Sequence, residues 1–515
     1  MPAMDLDTAL LTIGYGCGQV IIFVVSFFVY FYSVSEAMSA GYLVILTSCD
    51  FATTRGEKTL LANSLLGGMV ASGLFIGLIA DRYGRKFTIR LALIGALCFS
   101  FFSALMPELY SLAVMRMIVG VFLSGVASLQ VGFLTEFHAP KWRPLVVTLC
   151  SQSQTAALMY CPLMGMAILP PNFSVTISSN YDMRAWRFLM MAMEIPGWIG
   201  LLGISLVPET PYYLMSVNRE DKAIMALKWI CRMNRKKWED LEISVAELPR
   251  ATIVAGGFWR ELWYESMRLF RRPYVTRFML CLWLVFGIYL VSIGLGIWFP
   301  VIRNMDNSGN HQFCYLIHHN PTLNKHSERS VNGTDTGEPH CHDVMSNFID
   351  PIYYALAYMG CFILSSLLLQ CMARKFAIAV HIAVACILGL CLNFLNQPTM
   401  VLIFFTLMMV LPGVLIPLAS SAMVDCLPTH LRGKAICMVR SLARFGGVLG
   451  STLVGMLMRI SCDVTLNIFN VILACFVGTS GRGCDFSWLL NGTKNISTLL
   501  YVSPLSFNQE SKKSV

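Results

Sequence analysis

Twelve apolar runs of about 20 residues fill most of the sequence and limit what it can fold into. A helix needs about 20 apolar residues to cross the roughly 30 Å hydrocarbon core of a bilayer. A backbone surrounded by lipid must also hydrogen-bond within its own segment. The composition agrees, since 56% of the residues are hydrophobic and only 13% are charged. The sequence therefore predicts an all-α polytopic membrane protein. Its spans lie at about 14–34, 58–80, 87–106, 109–135, 144–169, 188–207, 275–300, 351–372, 377–396, 399–423, 436–458 and 464–480.

The short loops between spans carry their bases on one side only. Arg82, Arg85 and Lys86 follow the second span, and Lys141 and Arg143 follow the fourth. The alternate loops "MPEL" and "NQPT" hold no base. By the positive-inside rule, the basic loops and both termini should be cytosolic. The net charge of +9 is thus spread between spans rather than gathered in one patch, so we expect no nucleic-acid partner.

The spacing of the spans divides the chain into two halves of six helices. We expect the following layout: 1–207 as the N-terminal half, 208–273 as a cytosolic linker with short helices, 274–480 as the C-terminal half, and 481–515 as an atypical cytosolic tail.

A long loop at 302–349 is expected on the outer side of the membrane. The sequons at Asn172 and Asn332 fall on that same side and are predicted to be glycosylated. In an oxidising compartment Cys314 and Cys341 favour a disulfide. The histidines of this loop leave a pH sensor or a solvated loop open, but their spacing fits no recognised metal motif. We therefore predict no metal site and no cofactor.

An internal repeat supports the two halves. Glu136 precedes Arg143 at the end of the fourth span, and Asp425 precedes Arg432 at the end of the tenth, 289 residues later. The same shift places the bases of "DRYGRK" on "QCMARK", with Gln370 in place of the acid. Two matches at one offset indicate duplicated halves, with a weaker gate predicted in the second.

Several stretches of this sequence resemble the major facilitator superfamily. "GLIADRYGRK" (77–86) matches that family's signature loop between helices 2 and 3, and "RMIVGVFLSG" (116–125) is similar to its helix 4 motif. "VPETPYYL" (207–214) looks like the motif after helix 6 in its sugar, organic-ion and vesicle-protein branches. "SEAM", "CDF" and the long outer loop resemble synaptic vesicle glycoprotein 2 and related proteins. The resemblance implies two pseudo-symmetric six-helix halves.

In the resembled fold the first of these stretches closes the cytosolic mouth. Asp81 is expected to face a helix N-terminus or to accept from a nearby arginine, with Arg143 as the candidate, while Glu136 pairs with Arg143 in a switching contact. The alternatives are a plain basic anchor and a static loop contact. The predicted gate consists of Gly77, Asp81, Arg82, Gly84, Arg85, Lys86, Glu136, Arg143, Asp425 and Arg432.

Few ionisable residues lie within the spans, and a charge there is costly unless it meets a partner or a cavity. The substrate or proton candidates are Glu36, Arg116, Glu194, Arg440 and Arg444. Glu36 could bind a proton or an organic cation beside Arg116, or else lie in water at the membrane interface. Glu194 could equally be a packing group, and the two later arginines could extend toward the cytosolic surface.

The sequence thus predicts a transporter that moves a small organic solute, an organic cation being one candidate, by secondary active or facilitative alternating access. The alternative is a vesicle or surface glycoprotein that moves nothing and acts through partner binding. No catalytic constellation is recognisable, so we expect no enzyme. We expect a monomer, embedded as a multi-pass protein in the plasma membrane or in a synaptic or secretory vesicle membrane.

Overall fold

The computed structural model places most of the chain in helices. It describes residues 6–239, apart from 52, 170–173 and 179–180, and residues 267, 270–271, 275–304, 348–372, 374–395, 397–419, 429–457 and 462–481.

The first half begins with a short helix and then builds the first six spans. Its elements are α1 (Leu6–Ile13), α2 (Cys17–Leu46), α3 (Ser48–Phe51), α4 (Arg55–Tyr83), α5 (Arg85–Ala104), α6 (Leu109–Glu136), α7 (Arg143–Ile168), β1 (Ser174–Ser178), β2 (Tyr181–Arg184), α8 (Ala185–Met193) and α9 (Ile195–Leu206). The two strands pair antiparallel in a hairpin between α7 and α8.

The linker and the second half follow. Their elements are α10 (Pro211–Ser216), α11 (Glu220–Met233), α12 (Val275–Ile288), a π-helical turn (Tyr289–Ile293), α13 (Gly294–Asn304), α14 (Ile349–Cys371), α15 (Arg374–Cys391), α16 (Pro398–Gly413), α17 (Thr429–Leu457) and α18 (Cys462–Gly481).

Each of the twelve predicted spans falls mainly on helix where the structure describes it, and three are interrupted, the tenth by a turn at Val414. The sixth breaks between α8 and α9, where Pro196 lies in the first turn of α9 and has no amide hydrogen to continue the helix. The seventh runs from α12 through the π-helical turn into α13. Within the described residues, seven spans are long and apolar enough to cross a bilayer, or eight if α4, bent by 53°, counts as one.

The two halves meet mainly where α4 packs along α17, a contact that we call the seam. Small residues permit the close approach: a methyl group at Gly73 would lie 2.6 Å from the Cβ atom of Ser441. Ser441 Oγ donates to the Val70 carbonyl at 3.0 Å. Nearer the other end of α4, Asn63 Nδ2 donates to Thr452 Oγ1 at 2.9 Å. The seam is therefore closed toward both ends of these helices.

The charged loops define one end of the helix bundle. Asp81 and Glu136 lie there with the basic residues that follow α4 and α6, and we call it the basic end. The linker helices α10 and α11 pack on the same end of the first half, and α11 contacts both α1 and α2. The predicted linker helices are thus present, over Pro211–Ser216 and Glu220–Met233.

Candidate functional site

Arg85 is the centre of the gate at the basic end. Its Nη1 atom lies 2.6 Å from Asp81 Oδ1, and its Nε atom lies 3.2 Å from Glu136 Oε1. The expected partner of Asp81, Arg143, was wrong. Arg85 lies four residues after Asp81, just beyond Gly84, and this short separation brings its side chain to the Asp81 carboxylate. It also bridges to Glu136, which ties the α4–α5 connection to the end of α6.

Arg143 belongs to a second cluster at the same end, so its expected pairing with Glu136 was also wrong. Its Nη2 atom lies 2.6 Å from Asp7 Oδ1 and 2.9 Å from Tyr212 Oη. Tyr212 in turn donates to Asp7. The Arg143 Nε atom donates to the Thr135 and His138 carbonyls. Arg143 thereby fastens α1 and α10 to the end of α6.

Glu209 holds the start of α5, and sequence analysis assigned it no role. Its Oε1 atom accepts from the Lys86 amide at 2.9 Å and its Oε2 atom from the Phe87 amide at 3.4 Å. A carboxylate is favourable at a helix N-terminus, where amide hydrogens lack partners. Burial raises the pKa of Glu209, and these amide donors oppose that rise. The only sequence signal for this contact is its place in "VPETPYYL".

Gly84 is required by this contact. Its φ angle is +104°, which side chains rarely tolerate, and an added methyl group would lie 2.9 Å from the Tyr213 ring. Tyr213 Oη donates to the Arg82 carbonyl at 2.8 Å, while the Arg82 side chain is exposed. The Lys86 amine donates to the Ser205 carbonyl at 3.2 Å. The residues of "VPETPYYL" therefore hold the connection between α4 and α5 in place.

Several predicted sites fall outside the part of the chain that the structure describes. Asn172, Asn332, Cys314, Cys341 and Asp425 lie outside the described residues, as do the side chains of Gln370 and Arg432. The described residues contain no group of three or more His, Cys, Asp or Glu side chains arranged to hold a metal ion.

Glu36, Arg116 and Glu194 form a buried charge cluster inside the first half. Arg116 Nη1 pairs with Glu36 Oε1, which also accepts from Ser100 Oγ at 2.7 Å. Arg116 Nη2 donates to Ser39 Oγ at 2.7 Å. Glu194 lies near enough to interact electrostatically with both charged partners. An interfacial position for Glu36 was wrong: α2 extends to Leu46, and both members of the pair are at most 1% exposed.

The cluster contains two carboxyl groups and one guanidinium. Glu36 Oε2 and Glu194 Oε1 have no hydrogen-bond partner within the described part of the chain. Because an unpaired buried charge is costly, a proton on one carboxyl group would bring the cluster to neutrality. The arrangement could therefore exchange a proton.

Arg440 and Arg444 lie on α17 where it faces α6, rather than at the membrane surface. Arg444 is 3% exposed and donates to Ser124 Oγ at 2.9 Å and Ser128 Oγ at 3.2 Å, both on α6. Arg440 Nη1 donates to the Ala127 carbonyl at 3.2 Å. The expected extension toward the cytosolic surface was wrong for Arg444, because its guanidinium crosses to the first half. Neither arginine forms an ion pair with any residue that the structure describes.

A polar bridge crosses between the halves beside these arginines. Gln154 Nε2 on α7 donates to Tyr358 Oη on α14 at 2.8 Å, and Tyr30 Oη on α2 donates to Gln154 Oε1 at 3.4 Å. Tyr30 also interacts electrostatically with Arg440 and Arg444. Positive charge, hydroxyl groups and aromatic rings thus converge between the halves. Gln154 and Tyr358 were not predicted from the sequence, because nothing local distinguishes them.

Comparison with known proteins identifies transporters as relatives. The family model described as "Sugar (and other) transporter" matches residues 10–293. Organic anion transporter 3 of Oryctolagus cuniculus is 26% identical over 257 residues, which is 49% of this chain and 44% of that protein. Synaptic vesicle glycoprotein 2B of Rattus norvegicus is 22% identical over 303 residues, or 53% of this chain and 44% of that protein. The matches thus span less than half the length of these relatives.

Solved structures extend the likeness to both halves. A D-xylose–proton symporter superposes with a TM-score of 0.59 at 13% identity, over 90% of this chain and 97% of its own. An inward open xylose transporter from E. coli gives a TM-score of 0.59 at 14% identity, over 90% of this chain and 95% of its own. At these identities the likeness shows the fold alone, the twelve-helix fold of the major facilitator superfamily.

Proposed function

Because the chain belongs to the sugar (and other) transporter family, we propose that it moves a small organic solute across a membrane by alternating access. In such folds the two halves rock about a site near the middle of the bilayer. The seam between α4 and α17 is the surface that must separate and close again. The ion pairs of Arg85 are partly exposed, with side-chain accessibilities of 18–40%. Exposed pairs contribute about 1 kcal/mol or less, so this gate can open in each cycle.

The geometry supports an organic anion as the substrate class. The organic-cation interpretation depended on Glu36, whose carboxylate already holds Arg116 within the first half. Arg444, by contrast, is a buried cation between the halves whose hydrogen-bond partners among the described residues are neutral serines. A buried guanidinium is costly without an anion, and a substrate carboxylate would supply one. This unpaired charge is the observation that carries the proposal, and the naming of one relative as an organic anion transporter agrees with it.

The buried charge cluster is the proposed proton site. Its two carboxyl groups and single guanidinium allow one proton to be taken up and released. The cluster reaches no described residue of the second half by hydrogen bond, so a proton there would act on the packing of α2, α5 and α6 rather than by contact with substrate. If protonation of the cluster changes this packing, transport would be secondary active. If it does not, transport would be facilitative.

The basic end is proposed to face the cytosol. The positive-inside rule supports that orientation. It places the outer loop, the proposed sequons at Asn172 and Asn332, and the proposed disulfide on the opposite side. The family and fold are those of membrane transporters rather than enzymes, and we propose that the protein acts as a monomer in the plasma membrane or a vesicle membrane.

The test is uptake into proteoliposomes reconstituted with the full chain. The panel contains an aromatic carboxylate, a dicarboxylate, a quaternary ammonium ion and a hexose. We expect the carboxylates to enter, and Arg444→Gln to raise the KM for them about tenfold, equivalent to about 1.4 kcal/mol. Arg444→Lys should retain part of the affinity. Arg90→Gln removes an exposed arginine of α5 instead and should change nothing. Uptake of the ammonium ion alone would contradict the anion assignment.

The alternative is a protein that moves nothing and acts by binding partners. The similarity to synaptic vesicle glycoprotein 2B favours it, as does the absence of an acid at Gln370 in the second-half repeat. Under this alternative no solute of the panel enters the vesicles, and Arg444→Gln has no measurable effect. A dependence of uptake on Arg444 would exclude it.

A further inference from the structure

A row of bases lies on the surface of the linker at the basic end. Lys222, Lys228 and Arg232 are exposed on α11, whereas Ala223 and Leu227 of the same helix are buried. The turn that follows α11 adds three more exposed bases. We call the following set the basic cluster: Lys222, Lys228, Arg232, Arg235, Lys236 and Lys237. The sequence places no acidic residue between the first of them and Trp238.

Hydrogen bonds hold the end of this cluster at the start of α2. Asn234 Oδ1 accepts from the Gly18 amide at 2.8 Å, and Asn234 Nδ2 donates to Gln19 Oε1 at 2.9 Å. The Lys236 amine donates to the Ile13 carbonyl at 2.7 Å, at the end of α1. A methyl group at Gly16 would lie 2.6 Å from Asn234 Cγ, so only glycine admits this contact. Because α2 is a membrane span, these contacts place the cluster at the level where that span leaves the bilayer.

Aromatic side chains mark the same level. The Lys228 amine lies 5.9 Å from the half-buried Trp238 ring. Across the start of α2, the Tyr15 and Trp142 rings are 5.3 Å apart, and the Lys141 amine lies 5.4 Å from the Trp142 ring. Tryptophan and tyrosine are enriched where helices cross the membrane–water interface. The cluster therefore borders the headgroup region rather than bulk water.

The bases of the cluster differ in their partners from Arg85 and Arg143 at the same end. Arg85 pairs with two carboxylates and Arg143 with Asp7. Across residues 220–239 the structure records no ion pair for any member of the cluster with the residues it describes. Its charge is thus available to an anion outside the protein.

We propose that the basic cluster binds the headgroups of anionic phospholipids in the leaflet that meets the basic end. Clustered bases on an amphipathic helix beside a membrane span attract such lipids, and each base near the surface adds to the attraction. A lipid headgroup accounts for both the bases without ion pairs and the neighbouring aromatic rings, because it presents its negative charge at the depth where the rings lie. Binding would attach α11, and with it the linker between the halves, to the membrane surface.

The test measures lipid binding to the purified full chain in a neutral detergent, without reference to transport. Native mass spectrometry counts bound phosphatidylserine and phosphatidylcholine as each is titrated. We expect phosphatidylserine to bind more tightly, and the double variant Arg232→Gln/Lys237→Gln to weaken its binding about tenfold. The charge-preserving variant Arg232→Lys/Lys237→Arg should bind it as the wild type does. Raising the salt concentration should reduce the preference.

A matched control removes the same charge elsewhere. Arg55→Gln/Arg219→Gln replaces two exposed arginines outside the cluster and should leave phosphatidylserine binding unchanged. Equal binding of the two lipids by the wild type would overturn the proposal, as would equal losses in the control and the cluster variant. Inositol hexakisphosphate tests for a soluble source of the same phosphate chemistry. If it binds the cluster while phosphatidylserine does not, the lipid assignment fails. None of these outcomes depends on whether the proposed transport occurs.

Discussion

Replacing Arg116 tests whether water is excluded from the buried charge cluster, as the burial of its side chains indicates. Glu36 is 0% exposed, and among the described residues only Arg116 and Ser100 donate to its carboxylate. In Arg116→Met a single hydroxyl would remain beside a buried negative charge. Breaking a buried ion pair by removing one partner costs about 3–5 kcal/mol. We therefore expect Arg116→Met to lower the free energy of unfolding by about that amount.

The double variant Glu36→Leu/Arg116→Met separates charge from packing. It removes both charges and leaves apolar side chains of similar size. Ser39 still donates to the Glu36 backbone carbonyl at 2.7 Å, so its hydroxyl keeps a partner. Replacement of a whole buried pair is often neutral or stabilising. The double variant should thus unfold within about 1 kcal/mol of the wild type, with a coupling of at least about 2 kcal/mol between the positions.

The assay is unfolding of the detergent-solubilised protein by sodium dodecyl sulfate, followed by tryptophan fluorescence. Arg90→Met is the control, because it removes an exposed arginine of the adjacent helix α5. It should change stability by no more than about 0.5 kcal/mol. If Arg116→Met and Glu36→Leu each cost less than about 1 kcal/mol and their effects add, the pair is hydrated. The reasoning from burial would then be refuted.

Two further predictions concern the basic end. Gly84→Ala should destabilise the protein by about 1–3 kcal/mol, because its φ angle is +104° and the added methyl group meets the Tyr213 ring. Gly67→Ala, with open space around it on α4, should be neutral or slightly stabilising in the same titration. Equal losses in both variants would contradict this account. Burial lowers the pKa of His138, whose Nδ1 atom bonds to the Leu134 carbonyl while Nε2 has no partner in the described structure. Since the unfolded chain binds this proton more tightly, the wild type should lose stability as the pH falls below about 6.5. His138→Gln should lose less over that range, and identical pH profiles would exclude the effect.

Some parts of the fold and of the site could be predicted from single residues and short spacings. Apolar length placed the described parts of all twelve spans mainly on helix, because a bilayer imposes the same requirement on every segment that crosses it. The seam follows the packing rule of other membrane helices, since Gly73 of α4 lies directly against Ser441 of α17.

The partners of charged residues could not be predicted in the same way. Asp81 was expected to meet Arg143, and Glu136 likewise, yet both carboxylates contact Arg85. The sequence shows which loops hold acids and bases, but several bases lie within reach of each acid. The choice among them depends on how α5 restarts after Gly84, a matter of a few ångströms. Only the packed chain decides that.

The same division holds for the buried groups. Composition alone shows that Glu36, Arg116 and Arg444 are costly in a membrane and must find partners. Their sequence positions do not show that Glu36 and Arg116 neutralise each other within the first half, or that Arg444 reaches serines of α6. Membrane insertion depends on the summed hydropathy of one segment, so it can be read along the chain. Ion pairing and substrate charge depend on distances between segments far apart in sequence, and these exist only once the helices have packed.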